Sequence, residues 1–278
     1  MQVSASGYYA WRKRLSKPPC LKRRRLADLV RNCYFENRRR YGARRISQAL
    51  GKSGVKIGRG KVRVLMMEER LKAINTKVFK PKTTDSKGTT AAPNLLAEVN
   101  TQECAPAKII IGDITYIRLR GGRFCYLAIW QDKVTRRIIG WSLSPEMTAE
   151  LVISALQKAI RKGLVKAGAI VHSDRGSQYA SGAFRQLLQQ NCLRQSMSGR
   201  GNCYDNAQAE SFFSRFKAEL MEDGVFEDFE QARSEIFSYI EGYYNRVRLH
   251  SSLGYKSPIE FEMELKSKDE GGRRRFLV

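Results

Sequence analysis

The chain is 278 residues long, enough for one or two domains with a substantial core, and 42% of it is hydrophobic. No apolar run approaches the roughly 20 residues needed to cross a bilayer. The first residues, MQVSASGYYAWRKR, carry aromatics and charges where a signal peptide needs a plain apolar stretch, so no membrane partner and a cytoplasmic location are expected. The net charge of +24 is lopsided: residues 1–90 hold 25 Lys and Arg against 5 Asp and Glu, and the remainder is close to balanced. Such a polycation binds phosphate by releasing condensed counterions, which on charge alone suits DNA and RNA equally. Six cysteines, at positions 20, 33, 104, 125, 192 and 203, and two histidines, His172 and His250, have no paired metal-ligand spacing. A zinc finger is excluded and reduced thiols are expected.

In chain order, residues 22–50 read as helical, with Leu26, Leu29, Val30 and Cys33 on one stripe. A second helical stretch follows Tyr41-Gly42 and is expected to break at Gly51 and Gly54. A third runs from about Arg59 to Arg70, with Val62, Leu65 and Met66 inward and Arg59, Lys61 and Arg63 outward. Helix, glycine-containing turn and helix in a basic setting fit a helix-turn-helix DNA reader; a small helical bundle with a solvated basic face has the same pattern. Residues 76–94 lack periodicity and read as linker. Strands are expected at 108–119, 123–131 and 137–143, with a tight turn at Gly121-Gly122. A helix over 149–162 capped by Thr148, a strand at 169–173, a helix at 180–190, a strand near 193–196, a loop at 198–206 and helices at 207–221 and 228–245 complete a mixed α/β order. The division is therefore 1–80 basic helical region, 81–102 linker, 103–225 catalytic core, and 226–278 C-terminal helices with a basic tail.

Three acids stand out. Asp113 lies inside a strand flanked by isoleucines, where a carboxylate is costly without a partner or a function. Asp174 follows the apolar strand AIVHS, and Glu210 opens an amphipathic helix bearing Phe212, Phe213 and Phe216. Each alone is more often structural; together they can converge at one end of a sheet, where carboxylate oxygens suit a hard divalent cation.

The stretches VSASGYYAWRKR, RRYGARRISQAL, APNLL, GDITYI, HSDRGSQY, SGRGNCYDNAQAESFF, KAEL and YNRVRLHSSLGYKSP resemble the second-reading-frame transposases of bacterial insertion sequences. The catalytic core of that family is similar to retroviral integrase and ribonuclease H. The match covers nearly the whole chain, and 35 residues separate Asp174 from Glu210, as in the integrase D-D-35-E pattern. The resemblance implies a ribonuclease H-like core, a five-stranded mixed sheet with flanking helices, preceded by a small all-α helix-turn-helix domain. It implies that Asp113, Asp174 and Glu210 cluster to ligate two Mg²⁺ ions, with Mn²⁺ as a substitute, roughly 3.5–4 Å apart. Water then frees a 3′-OH that attacks another phosphodiester, with no nucleophilic Ser, Tyr or Cys, despite Tyr179 and Tyr204. It places a basic DNA contact at Lys217, two turns beyond Glu210. Arg175, Arg44, Arg45, Arg59, Lys61 and Arg63 are further DNA-contact candidates, as Gln178 and Tyr179 are for substrate. His172 is a candidate to orient a carboxylate, to touch phosphate or simply to pack; Asn206 is a candidate neighbour of the site or a helix cap. Asn245, Arg248, His250 and Ser251 fall in a family stretch with no evident chemical role and read as packing on the core.

The expected partners are double-stranded DNA (element ends and target), further copies of the chain assembled on DNA, and a fusion partner from an upstream reading frame, as in many members of that family. A ribonuclease H-type nuclease without strand transfer and a catalytically silent DNA-binding remnant are the competing readings. Two positions depart from the family pattern near Asp113: Ile110 stands where Trp is usual and Gly112 where Thr or Val is commoner. Strand packing around Asp113 is expected to differ accordingly.

Overall fold

The computed structural model describes residues 4–15, 21–74, 92–99, 105–199, 207–220 and 225–275. They form two compact units, Met1–Asn75 and Thr76–Val278. No helix among the described residues is long and apolar enough to cross a membrane.

The first unit holds α1 (Ala5–Leu15), α2 (Leu21–Glu36), α3 (Ala43–Lys52) and α4 (Arg59–Glu68). Its core is Val30, Tyr34, Tyr41, Ile46, Leu50, Val62 and Leu65, all buried. Within the helices, Val30 and Tyr34, Ile46 and Leu50, and Val62 and Leu65 recur at the three- or four-residue spacing that puts each pair on one face, and Tyr41 joins them from the α2–α3 connection. Asn37 ends α2 by donating Nδ2–H to the Cys33 carbonyl at 2.8 Å. The expected break at Gly51 does not occur; α3 runs through it to Lys52. One interior glycine costs a helix only about 1 kcal/mol. The chain turns instead at Gly54, whose φ of +82° suits a residue without Cβ, and Val55 N–H donates back to the Leu50 carbonyl at 2.9 Å. Ser47 Oγ donates to the Ile57 carbonyl at 2.7 Å and clamps the α3–α4 turn. Arg59, Lys61 and Arg63 are exposed on the face of α4 opposite Val62, Leu65 and Met66.

The second unit is built on β1 (Ile109–Arg118), β2 (Phe124–Asp132), β3 (Ile138–Ser144), β4 (Ile170–Ser173) and β5 (Arg194–Met197). They form one mixed sheet in the order β3-β2-β1-β4-β5, the five-stranded arrangement of a ribonuclease H-like core. β1 is central, antiparallel to β2 and parallel to β4, and β4 is parallel to β5. One face packs on α5 (Ala149–Arg161) and α6 (Gly182–Gln190) through Ile110, Ala128, Trp130 and Val171. The other packs through Ile111, Ile117, Leu127 and Ile129 on α7 (Ala207–Leu220), α8 (Phe229–Phe237) and a π-helical segment, Ser238–Tyr244. The helix expected over 228–245 is thus α-helical only in its first half. α9 (Pro258–Arg275) closes the described chain. Thr148 occupies the N-cap position of α5 but makes no side-chain capping bond; Ser181 does cap α6. Residues 92–99, within the stretch read as linker, lie on the sheet: Leu96 is buried with Ile109 and Ile170, and Leu95 N–H donates to Ser196 Oγ at 3.0 Å.

The departures near Asp113 have a packing explanation. Gly112 pairs directly with Trp130 across β1 and β2, and a Cβ at Gly112 would lie 2.3 Å from the indole ring. The ring fills the space above Gly112, beside Ile110, and stacks on Phe184 with planes 7° apart, while Nε1–H donates to the Val152 carbonyl at 3.1 Å. An indole therefore occupies this layer from β2 rather than β1. Gly112→Ala is expected to lower stability by about 1–3 kcal/mol in urea denaturation, the usual scale of overpacking. Combined with Trp130→Leu, it should cost less than the sum of the two single changes, because the clash is then gone.

Candidate active site

Asp113 sits on β1 with Ile129 as its cross-strand partner, and shares the α7-facing side with Ile111 and Ile117. The parallel register pairs Ile111 with His172, so two further residues bring Asp113 level with Asp174 just beyond the end of β4. Asp113 Oδ1 accepts the N–H of Ile114 at 2.8 Å. Asp174 Oδ1 accepts the N–H of Gly176 at 3.0 Å. Asp174 is accessible as a residue, yet protein atoms crowd its carboxyl. That burial raises its pKa, opposed by the Gly176 N–H.

α7 lies against the same face through Ala209, Phe212, Phe213 and Phe216. Glu210 is exposed in its first turn, and Lys217 is half-buried in its last. Lys217 Nζ stands 4.2 Å from the centroid of the Tyr116 ring. Burial lowers its pKa, and the nearby Asp113 charge opposes the shift. One side chain of α7 is thereby coupled to Asp113. Among the described residues no three His, Cys, Asp or Glu side chains stand where they could hold a metal ion.

Other candidates divide by environment. His172 is fully buried, with Nδ1 facing Ser196 Oγ at 2.9 Å and Nε2 facing Ser198 Oγ at 3.1 Å. It ties β4 to β5 behind Asp174. Arg175 Nε donates to the Ser198 carbonyl at 2.8 Å and braces the same corner. Gln178 Nε2 donates to the Met147 carbonyl at 3.3 Å. In the first unit Arg44 is exposed, whereas Arg45 is half-buried with its guanidinium 5.6 Å from the Tyr41 ring centroid. Asn206 and Tyr204 lie outside the described residues.

The stretch YNRVRLHSS, which sequence reading left without a role, anchors α7. Arg248 and Glu219 form a buried pair at 2.8 Å, with side chains 4% and 5% exposed. Tyr239 Oη–H donates to Glu219 at 2.9 Å. Burial works to lower the Arg248 pKa, but the Glu219 charge and hydrogen bonds dominate and raise it. Asn245 bonds both backbone groups of Ile138, accepting its N–H at 2.9 Å and donating to its carbonyl at 3.0 Å. This fastens the segment to edge strand β3. A cationic residue in one apolar stretch matched to an acid in another (KAEL and YNRVRLH) was the available signal, but nothing in the sequence gives their proximity.

Two variants test this geometry. Arg248→Met should cost about 3–5 kcal/mol in chemical denaturation, because Glu219 is left buried and unpaired. Asp174→Asn should melt higher than the wild type at pH 7 in EDTA. An acid whose folded pKa is raised gives its full stability when protonated and loses it as pH rises through that pKa, so the difference should vanish below about pH 3.9.

The Integrase core domain family matches residues 104–203, a second Integrase core domain family matches residues 191–258, and an HTH-like domain family matches residues 22–79. The chain is 40% identical to the transposase for insertion sequence element IS904 of Lactococcus lactis, over 85% of this chain and 93% of that protein. It is 37% identical to the transposase InsF for insertion sequence IS3A of Escherichia coli K12, over 94% of this chain and 91% of that protein. Among solved structures, the simian T-cell lymphotropic virus intasome aligns over 78% of this chain and 70% of the matched chain, with a TM-score of 0.46 and 15% identity.

Proposed function

Since the chain belongs to the insertion-sequence transposases that carry an integrase core, we propose that it cleaves and joins DNA strands at the ends of a mobile element, using Asp113, Asp174 and Glu210 as a divalent-metal site. The observation that carries this reading is the β1–β4 register, which brings Asp113 level with Asp174 on the face covered by the helix of Glu210. The donors fit in kind. Carboxylate oxygens are the ligands a hard cation such as Mg²⁺ prefers, and the cost of a crowded, charged Asp174 is relieved by a cation beside it. Two Mg²⁺ ions, replaceable by Mn²⁺, would supply positive charge to the phosphodiester and lower the pKa of the attacking hydroxyl.

The chain's own residues do the rest. Asp113 and Asp174 hold the fixed side of the site on the sheet, and Glu210 closes it from α7. Lys217, half-buried beside Tyr116 and Asp113, is placed to steady a DNA phosphate at the rim. No tyrosine nucleophile is needed at Tyr179: its hydroxyl is buried, and burial followed by the charges of Asp174 and Asp113 pushes its pKa well above the ordinary value. The first unit serves as the helix-turn-helix DNA reader, with Arg59, Lys61, Arg63 and Arg44 on its accessible surface. The divisions at 1–80, 103–225 and 226–278 then separate DNA reading, chemistry and support, and residues 92–99 of the 81–102 stretch belong with the core on which they pack. Strand transfer must hold two ends at once, so we assign assembly of several copies on DNA, with an upstream-frame partner contributing to end recognition.

The direct test incubates the protein with a labelled element end and Mg²⁺ or Mn²⁺. Wild type should give joined products, and Glu210→Gln should reduce them to background while still binding the DNA. Cleavage without joining would leave only a nuclease; binding without metal-dependent cleavage would refute both. Alanine at Arg59, Lys61 or Arg63 should weaken DNA binding across sequences, each lowering the salt-dependence slope by about one where the residue contacts a phosphate.

A further inference from the structure

The outward face of α4 carries at its centre two residues that the fold of the first unit does not ask for. Gly60 and Val64 are four residues apart, stacked one turn above the other, on the side opposite Val62 and Met66. Gly60 is inside the helix and its φ is not positive; a Cβ there would meet nothing within 4 Å. Glycine in such a position weakens a helix relative to alanine, so neither packing nor backbone geometry accounts for it. Val64 is 47% exposed, and a β-branched side chain also suits an exposed helical position less well than alanine or lysine. Lys61 flanks this ridge on one side and Arg63 on the other, both exposed. Residues 59–67 contain no acid, and the acids that follow are engaged by α2, Glu68 with Arg23 and Glu69 with Arg31. The first two turns of α4 therefore present a small, apolar centre between two cations. A helix lying in the major groove has base edges beneath its centre and phosphates along its sides. This face matches that section in shape and in charge.

We infer that Gly60 and Val64 form the base-reading ridge of the first unit. Gly60 lets the helix backbone come close to the floor of the groove, and Val64 packs on the 5-methyl group of thymine, the one apolar group that base pairs present there. The element end accordingly carries thymine where α4 lies. The inference rests on the DNA-reading role of the first unit and deepens it: sequence preference comes from Gly60 and Val64, while Lys61 and Arg63 supply affinity for phosphate that is indifferent to sequence.

The test measures binding of the full chain, by fluorescence anisotropy, to three labelled duplexes: the element end, the same duplex with uracil in place of thymine, and an unrelated duplex of equal length. Uracil lacks only the methyl group, and should weaken wild-type binding to the element end about 4-fold for each methyl contacted. Val64→Ala should lose a similar factor on the thymine duplex, bind the uracil duplex about as the wild type does, and leave the unrelated duplex unchanged. Gly60→Leu should bind the element end more weakly while its melting temperature holds or rises, since leucine is the better helix former. If uracil leaves wild-type binding unchanged, or weakens Val64→Ala as much as the wild type, Val64 does not read the methyls and the inference is overturned while the DNA reader stands. Equal loss by Val64→Ala on all three duplexes overturns it in the same way, and wild-type binding by Gly60→Leu removes the close approach at Gly60. If Lys61→Ala and Arg63→Ala bind every duplex as the wild type does, α4 is not the DNA-reading helix and the inference falls with that reading.

Discussion

A carboxylate in the central strand of a sheet covered on both faces is the constraint around which the second unit is organised. Asp113 lies between Ile111 and Ile117 on a strand hydrogen-bonded on both sides. Charged groups in such places are retained only with compensation, and the surroundings supply it in pieces. The Ile114 N–H donates to it and the Lys217 ammonium stands near it, while its level neighbour Asp174, a like charge, adds to the cost. In the proposed function a cation beside the two aspartates would add to this compensation.

That constraint explains why the opposite side of β1 is packed so tightly. An electrostatically costly strand must be held by its apolar layer, and the layer behind Asp113 is aromatic: Trp130, Tyr179 and Phe184 contact one another in mutually edge-on and stacked pairs. Gly112 is the aperture that lets the indole approach the backbone. Ile110 and Gly112, the two departures from the family pattern, both face the layer that Trp130 fills from β2.

Local chemistry was legible in the sequence, and so was the order of elements. The three strands around Asp113, the strand before Asp174 and the helix of Glu210 follow from period and turn residues, because those signals lie within a few neighbours. What the sequence did not carry was long-range. Thr148 looks like a cap, but no capping bond forms; Gly51 looks like a stop, but the following turn absorbs the break three residues later. His172 reads as a companion of Asp174 by alternation, yet its ring nitrogens face serines on and just beyond β5, a strand paired only through the fold. The Arg248–Glu219 pair spans 29 residues and two apolar segments, and no periodicity announces it.

That pair also bears on how Glu210 reaches the aspartates. α7 is held at its C-terminal end by the buried Arg248–Glu219–Tyr239 network and along its length by Phe212, Phe213 and Phe216. Glu210 stands at the other end, exposed, about 10 Å along the axis from Lys217. Translating the helix would break a buried ion pair and three phenylalanine contacts at once. Turning a single first-turn side chain breaks neither. Closure of the proposed site on a cation would therefore ask for movement only in the first turn of α7, with the rest of the helix as a fixed support. In that proposal the stretch YNRVRLH serves the chemistry without touching it, by keeping fixed the helix that carries Glu210.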